Sequence, residues 1–194
     1  MRIISGTLKG RRIDAPSWNG LRPTSDKLRE TLFNVLQARV GDARVLDGYA
    51  GTGAVGIEAL SRGAAQVTFV ESDARAVTLI ERNLQRCGVT DRYAIIRARF
   101  ADAARRLPAG TFDLVLLDPP YGRDQLQAAL DAAAPLVAPG GLLVLEHARR
   151  DDAPALVAAL TKLRDIFSGD SALTMYRVVS TEPSGTPEVQ GNSQ

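Results

Sequence analysis

DGYAGTGAVG, residues 47–56, decides how this chain is read. Its second part, Gly51-Thr52-Gly53-Ala54-Val55-Gly56, has the G-x-G-x-x-G spacing of a turn that leaves a strand, opens a helix and faces a nucleoside-containing ligand. Alone the pattern is weak, because any tight strand-to-helix turn favours glycine where φ is positive or packing is close. Its context says more. The loop follows an apolar run at 44–46 and precedes a stretch of helical spacing, and Glu71 ends the next apolar run twenty positions after Gly51. A carboxylate there can accept hydrogen bonds from ribose hydroxyls.

Asp47 narrows the ligand. A dinucleotide would bring its pyrophosphate to the helix N-terminus, and a fixed carboxylate just before the loop would oppose that anion. S-adenosylmethionine has no phosphate; it carries a cationic sulfonium and an α-ammonium group, which a carboxylate attracts. The spacing Asp47-x-x-x-Gly51-x-Gly53 therefore favours the methyl donor. An NAD-dependent oxidoreductase is disfavoured by Asp47 and by the lack of a convincing general acid.

From residue 44 onward, short apolar runs alternate with longer stretches of helical spacing. Strands are expected at 44–46, 66–71, 93–97, 112–118, 141–147, 163–167 and 172–179, and helices at 55–61, 74–87, 125–134 and 153–161. This alternation predicts an α/β fold: a doubly wound, mostly parallel, Rossmann-like sheet with helices on both faces. LVLLD at 114–118, apolar at both alternating sets of positions, reads as a central strand covered on both sides. No helix separates the last two runs, which predicts a C-terminal antiparallel hairpin.

Ahead of this core, RIISG and GRRIDAP read as a short N-terminal β-hairpin about a glycine-rich turn. In LRPTSDKLRETLFNVLQARV, Leu28, Leu32, Val35 and Leu36 share one helical face, with Thr24 or Ser25 as N-cap. One domain is expected over 1–180, made of an N-terminal extension at 1–40 and a catalytic core at 41–180. Residues 181–194, TEPSGTPEVQGNSQ, are polar, Pro/Gly-rich and aperiodic, the signature of a disordered tail.

A second constellation is LLDPPY at 116–121. An acid at a strand end, followed by two prolines and an aromatic, makes a stiff turn whose prolines have no N–H to donate. The Asp118 carboxylate and the carbonyls of Pro119 and Pro120 are left as acceptors, and Tyr121 adds a flat stacking surface. Such a turn suits an exocyclic amino group on a base, whose N–H donors must be oriented and whose ring must be clamped. Both constellations fall at carboxyl ends of strands, where ligands bind in open α/β sheets.

Composition bounds the rest. With 45% apolar residues in 194, one core is expected. No apolar run approaches the ~20 residues of a bilayer span, and MRIISGTLKGRRI is charged where a signal peptide is apolar, so a cytoplasmic protein without membrane association is expected. Cys87 is the one cysteine and no Cys/His cluster exists, so neither an internal disulfide nor a metal is expected. His147, the one histidine, and Cys87 are read as structural. Residues 1–30 carry seven cations against three anions, +4, which leaves −2 for the remainder of a chain of net charge +2. A basic extension on a nearly neutral body points to a polyanion, since phosphate contacts supply the sequence-independent part of nucleic-acid affinity. Trp18, within that extension, can stack on a base or pack on the body.

These residues together resemble the bacterial 16S ribosomal RNA guanine-N2 methyltransferases of the RsmD type, a class I S-adenosylmethionine-dependent family. The resemblance runs from Arg2 to Val178 through RIISGTLKGRRI, LRPTSDKLRETLFNVL, VLDGYAGTGAVGIEALSRGA, FVESD, LLDPPY, LVLEH and GDSALTMY. The glycine loop and DPPY are common to many amino-methyltransferases; the two N-terminal stretches are the more specific. The resemblance implies a donor pocket at Asp47, Tyr49, Ala50, Gly51, Thr52, Gly53, Glu71, Ser72 and Asp118. It implies catalysis at Asp118, Pro119, Pro120 and Tyr121, and RNA contacts from Arg2, Lys9, Arg11, Arg12, Arg22, Thr24, Lys27 and Arg29, the last group with Thr24 and Arg22 nearest the pocket. The partner implied is 16S rRNA or an assembling 30S particle, and a monomer is expected, no dimer patch being apparent. Two positions depart from the pattern. The family usually carries a larger residue at Gly48, which predicts a looser loop, and RARFAD at 97–102 leaves the adenine contact open between Arg99 and Asp102. A DNA adenine-N6 methyltransferase shares the DPPY logic, but the short segment ahead of the first helix leaves little room for target recognition.

Overall fold

The computed structural model describes residues 1–18, 24–120 and 122–178. The expectations for Arg22, Tyr121 and the tail at 181–194 lie outside the described residues. In chain order the elements are α1 (Asp26–Leu36), β1 (Arg44–Gly48), α2 (Ala54–Ser61), β2 (Gln66–Glu71), α3 (Ala74–Arg86), β3 (Tyr93–Arg97) and α4 (Phe100–Ala104). There follow β4 (Phe112–Leu117), α5 (Arg123–Ala133), β5 (Val137–Ala148), β6 (Leu156–Val157), β7 (Leu160–Ser168) and β8 (Ser171–Val178). They build one sheet in the order β3-β2-β1-β4-β5-β8-β7-β6. Its first five strands are parallel, and β8, β7 and β6 add in antiparallel fashion.

The central strands are apolar on both sides because both sides are covered. On one face Val45, Phe69, Leu116 and Val144 meet Leu32 of α1, Ile57 of α2 and Ile80 of α3. On the other, Leu46, Val115, Leu117 and Leu145 meet Phe100 of α4 and Leu126 and Leu130 of α5. Ser25 caps α1, its hydroxyl accepting the Leu28 N–H at 3.1 Å. No described helix is long and apolar enough to cross a membrane.

The N-terminal hairpin is a single bridge, Arg2 opposite Arg12, extended by the Ile3 N–H to Arg11 oxygen and the Ile13 N–H to Met1 oxygen. So short a pairing is marginal in water, and buried polar groups of the core hold it down. Fully buried Glu58 of α2 accepts the Ile4 N–H at 2.7 Å, the Ser5 N–H at 2.9 Å and the Arg62 Nε–H at 2.8 Å. Ser61, at the end of the same helix, accepts the Leu8 N–H at 2.9 Å.

Arg29 is corrected here from an RNA contact to a structural tie. It is completely buried, and its Nη2 donates at 2.7 Å both to the Arg2 carbonyl and to Asp26. Its Nε and Nη1 find no partner among the described residues, and burial pulls the guanidinium below its usual pKa. A group without exposed surface cannot meet an RNA phosphate in this conformation.

The helix expected at 153–161 is also corrected. PALVAAL has the alanine and leucine of a helix former, but its residues build the β6–β7 hairpin, with Ala158 at φ +48 in the turn. Pairing wins over local propensity, because Leu160 opposite Val178 and buried Val157 complete the apolar face that α5 covers. The short α4 is an addition to the elements read from sequence.

Glu58→Ala would strand two backbone donors and remove one of the two anions, Asp26 being the other, that offset the buried Arg29 charge. A loss of about 3 kcal/mol is expected, read as a fall of roughly 10 °C in melting temperature for a chain of this size. A loss under about 1 kcal/mol would show that the hairpin is held by other means.

Candidate active site

The loop between β1 and α2 is drawn tight by side chains on either side of it. Asp47, at the end of β1, accepts the Gly56 N–H at 2.8 Å in the first turn of α2. Glu71, at the end of β2, accepts the Gly51 N–H at 2.9 Å on one oxygen and the Ser72 and Asp73 N–H groups at 2.6 and 2.8 Å on the other. Gly53 turns the chain at φ +74, and a Cβ on Gly56 would fall 2.2 Å from the Phe69 ring, so the helix can lie on β2 only with glycine there. At Gly48, where a looser loop is expected from sequence, neighbouring side chains fill the space that a larger residue would take. Leu117 and Phe100 occupy the space, each 2.7 Å from where a Cβ would stand.

Asn83 of α3 ties the loop to the N-terminal extension. Its amide donates to the Thr52 carbonyl at 2.9 Å and the Asp14 carbonyl at 3.2 Å, while its oxygen accepts the Asp14 N–H at 2.7 Å. Asp14 in turn pairs with Arg86 at 2.8 Å, and Trp18 lies with Arg75 over its ring, 5.1 Å from the centroid.

One cleft of about 430 Å³ lies over these strand ends. Tyr49, Ala50, Gly51, Thr52, Glu71 and Ser72 line one side, and Asp118, Pro119 and Pro120 line the other. Thr24, Ser25 and Leu28, from the start of α1, close it from above, and Glu146 and Ser171 contribute from β5 and β8. A narrower recess continues to Asp47, Leu116 and Val144, so the carboxylates of Asp47 and Asp118 open into the same space. Gly53 stands behind the cleft as the α2 cap. Arg99 and Asp102 are absent from its lining; Asp102 pairs with Arg105 at 2.8 Å.

The cleft is rich in negative charge. Burial, with smaller pushes from Asp118 and Glu71, raises the Asp47 carboxyl to about 8 against the pull of the Gly56 N–H. Desolvation lifts Asp118 to about 6, since protein crowds the carboxyl even though its residue keeps exposed surface at the cleft mouth. Among the described residues lining the cleft there is no Lys or Arg. A cationic ligand would relieve this repulsion and a pyrophosphate would add to it. The donor set thus fits a sulfonium. No group of His, Cys, Asp or Glu among the described residues is arranged for a metal ion.

The basic residues divide. Lys27 is exposed on α1, the helix whose start overhangs the cleft. Arg2, Lys9, Arg11 and Arg12 are exposed elsewhere. Arg11 donates to the Cys87 carbonyl at the C-terminal cap of α3, one turn beyond Asn83. Sequence reading does not single out Glu146 or Ser171. A carboxylate ending the apolar run LLVLE, beside the strand that ends in Asp118, is the signal that points to Glu146. His147 is buried, with Nε2 2.8 Å from the Thr174 hydroxyl and Nδ1 2.9 Å from the Ala148 carbonyl, and Cys87 is buried among apolar side chains.

A protein-family model described as Conserved hypothetical protein 95 matches residues 1–177. YlbH of Bacillus subtilis is 35% identical over 184 residues, covering 91% of this chain and 98% of that protein. Ribosomal RNA small subunit methyltransferase D of Escherichia coli is 33% identical over 180 residues, covering 91% and 89%. The solved structure of yhhF from Escherichia coli superposes with a TM-score of 0.79 at 30% identity, covering 92% of this chain and 97% of that one.

The Asp47 environment has a measurable sign. With a folded pKa near 8 against an ordinary 3.8, the folded chain holds a proton that the unfolded chain has released, so stability falls as pH rises through that window. Asp47→Asn keeps an oxygen for the Gly56 N–H and removes the ionisation. Its melting temperature should match wild type near pH 4 and exceed it at pH 8 by about 3 °C or more, on the order of 1 kcal/mol. A difference that stays constant with pH would refute the buried, destabilised carboxylate.

Proposed function

We propose, from the premise that this chain belongs to the Conserved hypothetical protein 95 family of RsmD-type methyltransferases, that it methylates the exocyclic N2 amine of a guanine in 16S ribosomal RNA, with S-adenosylmethionine as donor. Family membership supports the coarser assignment, an rRNA methyltransferase of the small-subunit type. The observation that carries the finer reading is that one cleft is lined both by the Gly51–Glu71 loop and by the Asp118-Pro119-Pro120 turn.

S-adenosylmethionine, when bound, supplies a methyl carbon made electrophilic by its sulfonium. Glu71, and Asp47 once the bound cation has driven its proton into solvent, give that charge its counter-ions while holding the loop, and Glu71 retains acceptor capacity for ribose hydroxyls. Asp118 and the Pro119 carbonyl take the N–H groups of the amine, and so fix where its nitrogen points. That lone pair is delocalised into the ring, so alignment matters more than a strong base. Effective molarities of roughly 10⁵ M or more are available to such positioning. After transfer the amine nitrogen is strongly acidic, and Asp118, lifted to about 6, can receive its proton. Tyr121 is assigned the stacking role on sequence alone. Thr24 and Lys27 stand nearest the target nucleotide; Arg2, Lys9, Arg11 and Arg12 serve phosphates farther along the RNA. A 16S loop within an assembling particle suits this arrangement better than a continuous duplex, because the target base must be unstacked.

Incubation with tritiated S-adenosylmethionine should label naked 16S RNA or 30S particles, and nucleoside digests should yield N2-methylguanosine. N6-methyladenine from duplex DNA would instead support the alternative. Asp118→Ala should lower turnover by roughly 100-fold; normal turnover would remove its role. Replacing both Lys9 and Arg12 by Ala should flatten the salt dependence of RNA binding by about two units of slope and leave donor affinity unaltered. An unaltered slope would take these residues out of the RNA surface.

A further inference from the structure

We propose that Glu146 selects guanine over adenine by accepting the N1–H of the base beside the amine that Asp118 and Pro119 orient. This rests on the reading of the chain as a guanine-N2 methyltransferase and names the residue that would make the base choice.

The placement follows from strand register. β4 and β5 run parallel, with Leu116 opposite Val144 and Leu117 opposite Leu145. The next residues are Asp118, just past the last residue of β4, and Glu146, two residues before the end of β5. Side chains alternate along a strand. Leu116 and Val144 face the core layer that α1 covers, so Asp118 and Glu146, two positions on, face the same way. Both line the cleft and the recess beneath it. Neighbouring strands lie ~4.8 Å apart, close enough for the two carboxylates to reach one edge of one base.

The chemistry of that edge decides what Glu146 can accept. Guanine presents N1–H and its 2-amine side by side, three N–H donors in all. With the two amine hydrogens directed at Asp118 and the Pro119 carbonyl, N1–H remains, and an ionised carboxylate is an acceptor only. A carboxylate has about four acceptor positions, so receiving N1–H need displace no other donor. Adenine has an amine at the corresponding edge but a bare N1. Its lone pair would face the lone pairs of Glu146, leaving both desolvated and unpaired. Sites built to hydrogen-bond a substrate group reject analogues lacking it far more strongly than sites that only match shape.

The test separates N1 from the reacting amine. Once the methylated nucleotide has been mapped, 16S RNA carrying either guanine or 2,6-diaminopurine at that position is assembled and offered to the full chain. Diaminopurine keeps the 2-amine but has an unprotonated N1. Wild type is expected to prefer guanine by about 100-fold or more in kcat/KM. Glu146→Gln, whose amide can donate to a bare N1, should lose rate on guanine and bring the two bases within about 5-fold of each other. A wild type that methylates both bases equally well overturns the proposal whatever the variant does. So does a folded Glu146→Gln protein whose preference is unchanged, while guanine methylation itself stands. Methylation of neither base would overturn the functional reading, and this inference with it.

Discussion

The constraint on which the molecule turns is that β1 and β4 are parallel neighbours, so their carboxyl ends meet at one edge of the sheet. From β1 the chain winds outward through β2 to β3, then returns to lay β4 and β5 on the other side. The crevice between the two windings is where such sheets bind ligands. It brings Asp47 and Asp118 into a single recess although 71 positions separate them. Every later feature of the cleft, including the α1 overhang and the contribution of β5, is arranged around that junction.

The arrangement carries an electrostatic cost. Asp47 is nearly buried beside two other acids, and among the described residues its compensating bond runs to the Gly56 N–H. Folding alone would be served better by an amide there. What the carboxylate gives in return is a preference for positive charge at a position with almost no exposure to solvent. Glu71 plays a double part of the same kind, since three backbone N–H groups converge on it and shape the loop it would share with a ribose. On the proposed reading, loop rigidity and ligand choice come from the same oxygens.

Much of this was legible in the chain itself. The glycine loop, the strand ends at Asp47, Glu71 and Asp118, and the closing antiparallel strands follow from periodicity and turn chemistry, which are local. What escaped reading was set by distant partners. The run at 153–161 has helical composition, and only its place against β8 makes it a hairpin. Arg29 looks like any surface cation until the N-terminal backbone closes over it. Lys9 and Arg11 count toward a basic extension by composition, but where that extension lies depends on Glu58, Ser61 and Asn83, none of which announces such a task. Glu146 required knowing that β5 lies beside β4.

The pinning of the hairpin also bears on the order in which the protein is completed. Its partners are remote in sequence, with Ile4 and Glu58 54 positions apart and Asp14 and Asn83 69 apart. Contacts of such long separation form late, because loop closure must precede them. On a translating ribosome residues 1–14 emerge early yet have nowhere to settle until α2 and α3 have followed them out and folded onto β1 and β2. This segment, though made before the glycine loop, is thus installed after that loop, which it then reinforces.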